Sequence, residues 1–309
     1  MPSLSLVFAG SPAAAVPSLR RLAHSDHDVR AVVTREDSLQ GRRGILTPTP
    51  VATVADELGI PVIRANRLAG AATDAVSAIA PDLGVIVAYG GLVREPLLST
   101  PRLGWINLHF SLLPRWRGAA PVQRAIMAGD DITGASVFQL VPELDAGDVY
   151  GQLTQPIGAL ENAGHLLESL ASSGADLLLA VVDALAAGTA RREVQAGDVT
   201  LAPKLELEDG HIDWKAAAIM VSNQIRGVTP EPGAFAQIEG ARLKIVDAAI
   251  ARDAASLDPG RLALDGRRVL VGTATTPLEL ITVHPAGKRP MAAADWWRGR
   301  PADASAVLS

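Results

Sequence analysis

Three polar side chains in one stretch of the sequence have the chemistry needed for acyl transfer. Asn107 and His109 lie two residues apart in an apolar run, and Asp145 follows further along the chain. Side chains at a spacing of two point to the same face of a strand, so the amide and the imidazole would enter one cleft. An amide can stabilise an oxyanion, and an imidazole with a carboxylate can move a proton.

Each of these residues also has an explanation that involves no catalysis. A histidine at the end of a strand is more often structural or at the surface, and an asparagine there is a common turn former. Asp145, which is followed by Ala-Gly-Asp, has the composition of a polar turn. Their combination within one stretch is what favours a catalytic site.

The elements that must position these residues alternate between strand and helix. Apolar runs predict strands at the following places: Leu4–Ala9, Asp28–Thr34, Pro61–Ala65, Asp82–Tyr89 and Trp105–Phe110. Helical patterns lie between most of them, with Ser11 and Pro12 at the predicted start of the first helix. This alternation predicts right-handed βαβ units and an open parallel sheet, a Rossmann-like α/β fold. Ligands bind such sheets at the carboxyl ends of the strands.

The second half of the chain has a different character. A long Ala- and Leu-rich helix is predicted within Leu160–Ala187, and Gly188–Asp209 has the composition of a linker. Five short strands then follow at close spacing, which predicts a small β-barrel. We therefore expect a first domain at 1–188, a linker at 189–209 and a second domain at 210–309.

Composition restricts the class of protein. A length of 309 residues suits two domains, and a hydrophobic content of 48% is enough for buried cores. The chain has no cysteine, which excludes disulfides, thiolate nucleophiles and cysteine-bound metal. No signal peptide and no membrane span is evident, so we expect a soluble cytoplasmic protein. The net charge of −5 means that a polyanion would be bound only at local basic clusters.

Two stretches identify a family. The run NLHFSLLPRWRGAAPVQRAI, followed later by LDAGD, resembles the 10-formyltetrahydrofolate-dependent formyltransferases, and the ending VHPAGKRPMAAADWWRG is similar to the C-terminal signature of that family. Within the family, the chain is most similar to the enzymes that formylate initiator Met-tRNA. The resemblance implies a Rossmann-like catalytic domain and an OB-like C-terminal barrel. It also implies 10-formyltetrahydrofolate as the formyl donor, and neither a dinucleotide nor a metal.

The resemblance assigns roles to particular residues. Asn107, His109 and Asp145 match the catalytic triad of the family. A protonated His109 would add a charge-assisted hydrogen bond to the oxyanion, and Asp145 would favour that imidazolium. The turn formed by Ser111, Leu112, Leu113 and Pro114 is similar to the turn that contacts tetrahydrofolate, and Val87–Gly90 and Leu140–Leu144 would line the same pocket.

Basic residues are implied as tRNA contacts. Arg35–Pro50 is a long loop rich in Gly, Arg and Pro, and loops of this length are often functional. In the related tRNA enzymes the matching loop is basic and wedges against the acceptor end of the tRNA. The resemblance therefore implies that Arg42 and Arg43 contact tRNA. Lys204, Lys288 and Arg289 are further candidates from local basic clusters. We expect the protein to act as a monomer.

Other functions stay open at this stage. A formyltransferase acting on a sugar nucleotide or on glycinamide ribonucleotide would share the triad, although the arginine loop and the barrel favour tRNA. A non-catalytic RNA-binding protein on this fold would have no reason to keep all three polar groups. An NAD-dependent dehydrogenase is disfavoured because the turn after VFAGSP lacks the Gly-x-Gly-x-x-Gly spacing.

The arginine loop leads to a first prediction. Arg42→Ala and Arg43→Ala should weaken the use of tRNA more than the binding of folate, because each removes a guanidinium that can engage phosphate. The dependence of tRNA affinity on salt should fall by roughly one unit of log–log slope for each lost phosphate contact. Affinity measured across a salt series gives the slope, and an unchanged slope in both variants would count against the assignment.

Overall fold

The structure is a computed structural model that describes residues 2–41, 44–301 and 306–309. Arg42 and Arg43, two of the predicted tRNA contacts, lie outside the described residues. The chain divides into two compact units, each built from three segments of sequence. The first unit comprises the chain up to Pro121, Ile132–Pro156 and Leu167–Ala202, and the second comprises Val122–Asp131, Ile157–Leu166 and Pro203–Ser309.

The regular elements are numbered in chain order. The strands are β1 (Ser5–Gly10), β2 (Asp28–Thr34), β3 (Ser38–Gln40), β4 (Ile45–Thr47), β5 (Val62–Arg64), β6 (Leu83–Val87), β7 (Trp105–His109), β8 (Arg117–Gly118), β9 (Ile132–Gln139), β10 (Val149–Pro156), β11 (Leu201–Ala202), β12 (Ala234–Ile238), β13 (Ala241–Ile250), β14 (Leu262–Asp265), β15 (Arg268–Val271), β16 (Leu278–Pro285) and β17 (Met291–Ala292). The α-helices are α1 (Val16–Ala23), α2 (Pro50–Glu57), α3 (Ala71–Ile79), α4 (Pro121–Ala128), α5 (Ala163–Ala186), α6 (Ala218–Gly227) and α7 (Ala293–Arg298).

The first unit is organised by a seven-stranded sheet. Its order is β10-β9-β7-β6-β1-β2-β5, and neighbours from β7 to β5 pair in parallel while β9 and β10 are antiparallel. The central strands β1 and β6 are almost entirely buried, as expected for a parallel sheet covered on both faces. The predicted Rossmann-like sheet is therefore confirmed, and β7 is an interior strand that lies between β6 and β9.

The start of the first helix differs from the prediction. A short 3-10 turn at Ala13–Ala15 precedes α1, and no side chain caps that turn. Ser11 instead accepts hydrogen bonds from the backbone N–H of Arg35 and from the hydroxyl of Thr34. Pro17 lies in the first turn of α1, where its missing N–H costs nothing.

The predicted loop at Arg35–Pro50 contains regular structure. Strands β3 and β4 pair as an antiparallel hairpin within it. Three large apolar side chains of this hairpin are exposed to solvent: Leu39 at 73%, Ile45 at 62% and Leu46 at 63%. The predicted loop thus includes two short paired strands in its described part, which sequence composition alone did not reveal.

Helix α5 is long and apolar. Among the described residues, it is the helix that is long and apolar enough to cross a membrane. The core helix of a globular domain meets the same two criteria, so length and composition alone are weak evidence for a membrane span. Leu170, Leu178 and Val182 are buried along one face. An added Cβ at Gly174 would lie 3.1 Å from the side chain of Leu108 on β7. The absence of a side chain at this position therefore lets α5 pack closely over the strand that carries the predicted catalytic residues.

The second unit contains an antiparallel sheet. Its order is β12-β13-β16-β15-β14, with β17 paired to β16, and the sheet curls in the manner of an OB-like barrel. Helices α6 and α7 supply Val221, Ile225 and Trp296 to its core. The predicted small barrel is confirmed. The predicted domain limits at 188 and 210 stay predictions.

Gly84 on β6 provides a test of how tightly the first sheet is packed. A Cβ at this position would overlap the buried ring of Trp105, with the nearest atom at 2.1 Å. We expect Gly84→Ala to lower the free energy of unfolding by about 1–3 kcal/mol, because neither the ring nor the backbone can easily move. Urea denaturation measures the change. Gly299→Ala is the control, because its Cβ would make only ordinary contacts from 3.6 Å; equal midpoints for the two variants would contradict this account of the packing.

Candidate active site

The candidate site lies where β7 ends. Asn107 and His109 are alternate residues of this strand, so their side chains share one face of the sheet. In the ladder, Asn107 is opposite Ile86 of β6 and Phe138 of β9. The carboxyl ends of β6 and β7 form the edge at which open α/β sheets bind ligands. The structure thus places two of the predicted catalytic residues at the expected edge.

His109 has a fixed orientation. Its Nε2 atom lies 2.8 Å from the carbonyl oxygen of Trp116, and its ring meets Phe138 edge-on with the planes at 86°. Because a carbonyl oxygen only accepts hydrogen bonds, Nε2 must carry the hydrogen. The other ring nitrogen, Nδ1, lies 3.8 Å from Oδ2 of Asp145. The structure therefore brings together the histidine and the aspartate that the sequence predicted.

The pKa of His109 is lower than the ordinary value for histidine. Burial is the largest cause, because it disfavours the charged imidazolium. The Asp145 carboxylate and the Trp116 carbonyl act in the opposite direction without reversing the shift. The resting imidazole is therefore neutral at neutral pH, and Nδ1 is a proton acceptor. The lowered pKa favours the neutral ring over the imidazolium considered in the sequence analysis.

Asp145 is held through its backbone and its side chain. Its φ of +46° places it in the left-handed region, which residues other than glycine rarely adopt. Oδ2 accepts a hydrogen bond of 2.8 Å from the backbone N–H of Gly118. The side chain is only 11% exposed, compared with 7% for His109. Water therefore screens the carboxylate only weakly from the imidazole.

Asn107 has a hydrogen-bonding group without a partner. Its side-chain carbonyl oxygen is buried, and within the described part of the chain no group donates to it. A buried polar atom left in this state typically costs about 1–3 kcal/mol, and such atoms in native proteins often have a functional reason. A substrate N–H group is one donor that would satisfy it.

The turn after β7 is fixed by hydrogen bonds. The Ser111 hydroxyl donates to the carbonyl of Arg115, and the Ser136 hydroxyl donates to the carbonyl of Ser111. Gln152 donates to the carbonyl of Leu113 and to the Ser136 hydroxyl. Of the four residues predicted to contact folate, Ser111, Leu113 and Pro114 are buried and Leu112 is partly exposed. The turn is thus a rigid edge of the site, and its contact with folate stays a prediction.

The described tRNA candidates are surface residues of the second unit. Lys204 is exposed just after β11. Lys288 and Arg289 are exposed in the turn between β16 and β17. No contact in the structure distinguishes these side chains from ordinary solvated cations, so their role stays a prediction.

Sequence reasoning missed several groups of the site. The carbonyl of Trp116 and the N–H of Gly118 are backbone atoms, which carry no signature in the sequence. Gln195 was also missed, although its amide donates to the backbone carbonyls of Asp145 and Gly147. It lies in the predicted linker, far from the triad in sequence, and no motif marked it.

Among residues 2–41, 44–301 and 306–309, no group of three or more His, Cys, Asp and Glu side chains could hold a metal ion.

Comparisons with known proteins identify the family. A family model described as "Formyl transferase" matches residues 4–182, and a model described as "Formyl transferase, C-terminal domain" matches residues 204–301. A methionyl-tRNA formyltransferase of Clavibacter sepedonicus is 62% identical over 297 residues, which cover 96% of this chain and 97% of that protein.

Solved structures share the fold at low identity. An N-formyltransferase from Helicobacter canadensis, in complex with folinic acid and dTDP-3-aminofucose, has a TM-score of 0.68 at 16% identity, covering 89% of this chain and 98% of that one. HypX from Aquifex aeolicus, in complex with tetrahydrofolic acid, has a TM-score of 0.66 at 18% identity. That match covers 95% of this chain and 46% of HypX, so this chain spans about half the length of HypX. These likenesses show the fold alone.

The neutral state of His109 predicts a pH effect on stability. Below pH ~6.5 the unfolded chain binds this proton more readily than the folded His109 does, so the free energy of unfolding falls as the pH decreases, until the lowered pKa of the folded ring is reached. The contribution of this one group is at most about 1.4 kcal/mol per pH unit. His109→Gln should remove it, and urea denaturation between pH 5 and pH 8 measures the difference. The exposed His165→Gln is the control and should keep the wild-type dependence; an unchanged dependence in His109→Gln would show that the buried ring is not the source.

Proposed function

The chain belongs to the formyl transferase family, and from this premise we propose that it formylates methionyl-tRNA. In this reaction the formyl group of 10-formyltetrahydrofolate passes to the α-amino group of methionine on initiator tRNA, which gives N-formylmethionyl-tRNA for translation initiation. The observation that supports the chemistry most directly is the arrangement of Asn107, His109 and Asp145 at the end of β7. The tRNA substrate follows from the close relatives, which carry that activity in their names.

The reaction moves one acyl group and one proton. The amine nitrogen attacks the formyl carbon, and the carbonyl oxygen becomes an oxyanion in the tetrahedral intermediate. The bond between that carbon and N10 then breaks, and the proton lost by the amine is delivered to N10. The site must therefore stabilise negative charge on one oxygen and carry one proton between two nitrogens.

Asn107 is suited to hold the reacting groups. Its amide N–H can donate to the developing oxyanion, and a donor of this kind typically contributes about 3 kcal/mol to transition-state stabilisation. Its buried carbonyl oxygen, which lacks a donor within the described residues, can accept an N–H of the attacking amine. One side chain would thus orient both the nucleophile and the formyl group.

His109 and Asp145 are suited to move the proton. With Nε2–H committed to the Trp116 carbonyl, the lone pair of Nδ1 can accept the proton of the amine, directly or through water. Asp145, with Oδ2 3.8 Å from Nδ1, would stabilise the imidazolium formed. The imidazolium can then support the oxyanion and release its proton to N10. No covalent enzyme intermediate is needed.

The formyl donor is proposed to bind at the carboxyl edge of the sheet. The turn Ser111–Pro114 and the segments Val87–Gly90 and Leu140–Leu144 are the candidates for its pocket. At this edge the Arg35 guanidinium donates to the backbone carbonyl of Gly90 at 3.0 Å, and a Cβ at Gly90, whose φ is +76°, would lie 2.8 Å from that guanidinium. Backbone groups at such an edge can recognise the polar rim of a pterin ring while apolar side chains cover its faces.

We assign tRNA binding to basic side chains in both halves of the sequence. Arg42 and Arg43 are proposed for the acceptor end, and Lys204, Lys288 and Arg289 for phosphates further along the tRNA. The protein is proposed to act as a monomer in the cytoplasm, where initiator tRNA is charged and used. Relatives that act on sugar nucleotides share the fold, so the acceptor must be tested directly.

The acceptor is tested by formyl transfer from 10-formyltetrahydrofolate to four amines. These are initiator Met-tRNA, elongator Met-tRNA, glycinamide ribonucleotide and a dTDP-linked amino sugar. We expect efficient formylation of initiator Met-tRNA only. Transfer to a small amine with none to tRNA would keep the chemistry of the triad and overturn the proposed substrate.

The catalytic assignment predicts large losses of activity. Asn107→Ala, His109→Ala and Asp145→Ala should each lower kcat/KM for Met-tRNA formylation by at least about 100-fold, which is the range for single oxyanion and acid–base groups. Initial rates with both substrates varied give the values. His165→Ala, at an exposed histidine, is the control for replacement of an imidazole. Near-wild-type turnover in His109→Ala would remove that residue from the mechanism.

A further inference from the structure

Gln195 lies outside both regions matched by the family models and inside the segment predicted as a linker. Its side chain nevertheless contacts the loop that carries Asp145. Nε2 donates to the backbone carbonyl of Asp145 at 2.7 Å and to that of Gly147 at 2.8 Å. A single amide therefore holds two carbonyls of the catalytic loop.

The orientation of this amide is fixed by Arg117. Nη2 and Nε of the guanidinium lie 2.6 Å and 3.2 Å from Oε1 of Gln195. Because a guanidinium can only donate, the oxygen of the amide must face Arg117 and its nitrogen must face the two carbonyls. The hydrogen-bond partners therefore determine which end of the Gln195 amide is the oxygen and which is the nitrogen.

The loop that Gln195 holds needs support. The backbone of Asp145 is in the left-handed region, which a residue with a Cβ adopts only where surrounding contacts stabilise it. The carboxylate is held separately by the N–H of Gly118, the neighbour of Arg117. Two neighbouring residues therefore position Asp145. Gly118 binds its carboxylate directly, and Arg117 orients Gln195, which binds its backbone carbonyl.

The segment that carries Gln195 is itself attached to the first unit. Val149 and Glu193 exchange backbone hydrogen bonds of 2.8 Å and 2.9 Å. At the other end, Thr200 accepts from the backbone N–H of Arg117 at 2.9 Å, and β11 pairs with β8. Gln195 therefore lies on a strap, residues 193–202, that is hydrogen-bonded to the first unit at both of its ends.

We propose that Gln195 is a positioning residue for Asp145. By holding the backbone of the Asp145 loop, it sets the distance between the carboxylate and Nδ1 of His109, and so the path of the transferred proton. This inference rests on the proposed role of Asp145 in catalysis. The hydrogen bonds of the Gln195 side chain, among the described residues, go to Arg117, Asp145 and Gly147 and not to His109.

The test replaces the amide and keeps the length of the side chain. Gln195→Met should lower kcat by about 10- to 100-fold, which is the loss expected when a catalytic group is displaced by up to about 1 Å. KM for 10-formyltetrahydrofolate and for Met-tRNA should stay within about 2-fold, since the binding surfaces are unchanged. The thermal midpoint should fall by only a few degrees, because two backbone carbonyls lose their shared donor while the protein stays folded at the assay temperature. Gln155→Met, at another partly exposed glutamine of the first unit, is the matched control and should keep wild-type kcat.

A double-mutant cycle separates positioning from general support of the fold. If Gln195 acts through the Asp145 carboxylate, then Gln195→Met in an Asp145→Asn background should cause no further loss of kcat. Arg117→Met is a second, independent variant, because it frees the amide to rotate and should cause a smaller loss than Gln195→Met. Equal, additive losses in both backgrounds would overturn the inference, as would a lowered thermal midpoint that accounts for the lost activity.

The same measurements distinguish this inference from the proposed function. Wild-type turnover in Asp145→Asn would remove the catalytic role of Asp145, and the role of Gln195 with it. A large loss in Asp145→Asn together with wild-type kcat in Gln195→Met would overturn the positioning role alone and leave the triad in place.

Discussion

The hydrogen bond between Nε2 of His109 and the carbonyl of Trp116 determines most of what the site can do. It fixes which ring nitrogen carries the hydrogen and therefore which one is free to accept a proton. Burial lowers the pKa of the ring and keeps it neutral, so the free nitrogen is unprotonated in the resting state and can accept a proton. Because Nε2 donates to the Trp116 carbonyl, Nδ1 is the nitrogen that can gain a proton, and Asp145 lies beside it and can stabilise the resulting positive charge.

The neutral histidine and the charged aspartate make opposite demands on their surroundings. A dry pocket favours the neutral ring but disfavours an isolated carboxylate. The backbone N–H of Gly118 reconciles them, because it solvates the carboxylate without adding water or a mobile charge. Glycine is required at 118, where φ is +128° and a Cβ would lie 2.6 Å from the carbonyl oxygen of Ala202. Packing between β8 and β11 is thus linked to the electrostatics of the site.

The sequence was informative where a residue type and a short spacing carry the signal. Period-two spacing placed Asn107 and His109 on one face, and buried apolar runs placed the strands of the parallel sheet. The left-handed conformation of Asp145 and the backbone partners at Trp116 and Gly118 were not predictable, because they depend on contacts between segments distant in sequence. The hairpin of β3 and β4 was missed for a related reason, since three-residue strands with exposed apolar side chains give no amphipathic pattern.

The segmented construction of the second unit has a consequence for how relatives of this protein can exchange parts. Its core includes Met127 from the α4 segment, and Arg226 on α6 donates to the carbonyls of Gly158 and Glu161 in the segment before α5. A recombination point at residue 203 would join the barrel to foreign versions of both segments. In such a chimaera, the barrel core would pack against a foreign residue at the position of Met127. The half-buried Arg226 guanidinium would face carbonyls of a foreign segment, in which the hydrogen-bond geometry can differ. Functional exchange between relatives should therefore succeed for whole chains, or for barrels that carry Val122–Asp131 and Ile157–Leu166 with them.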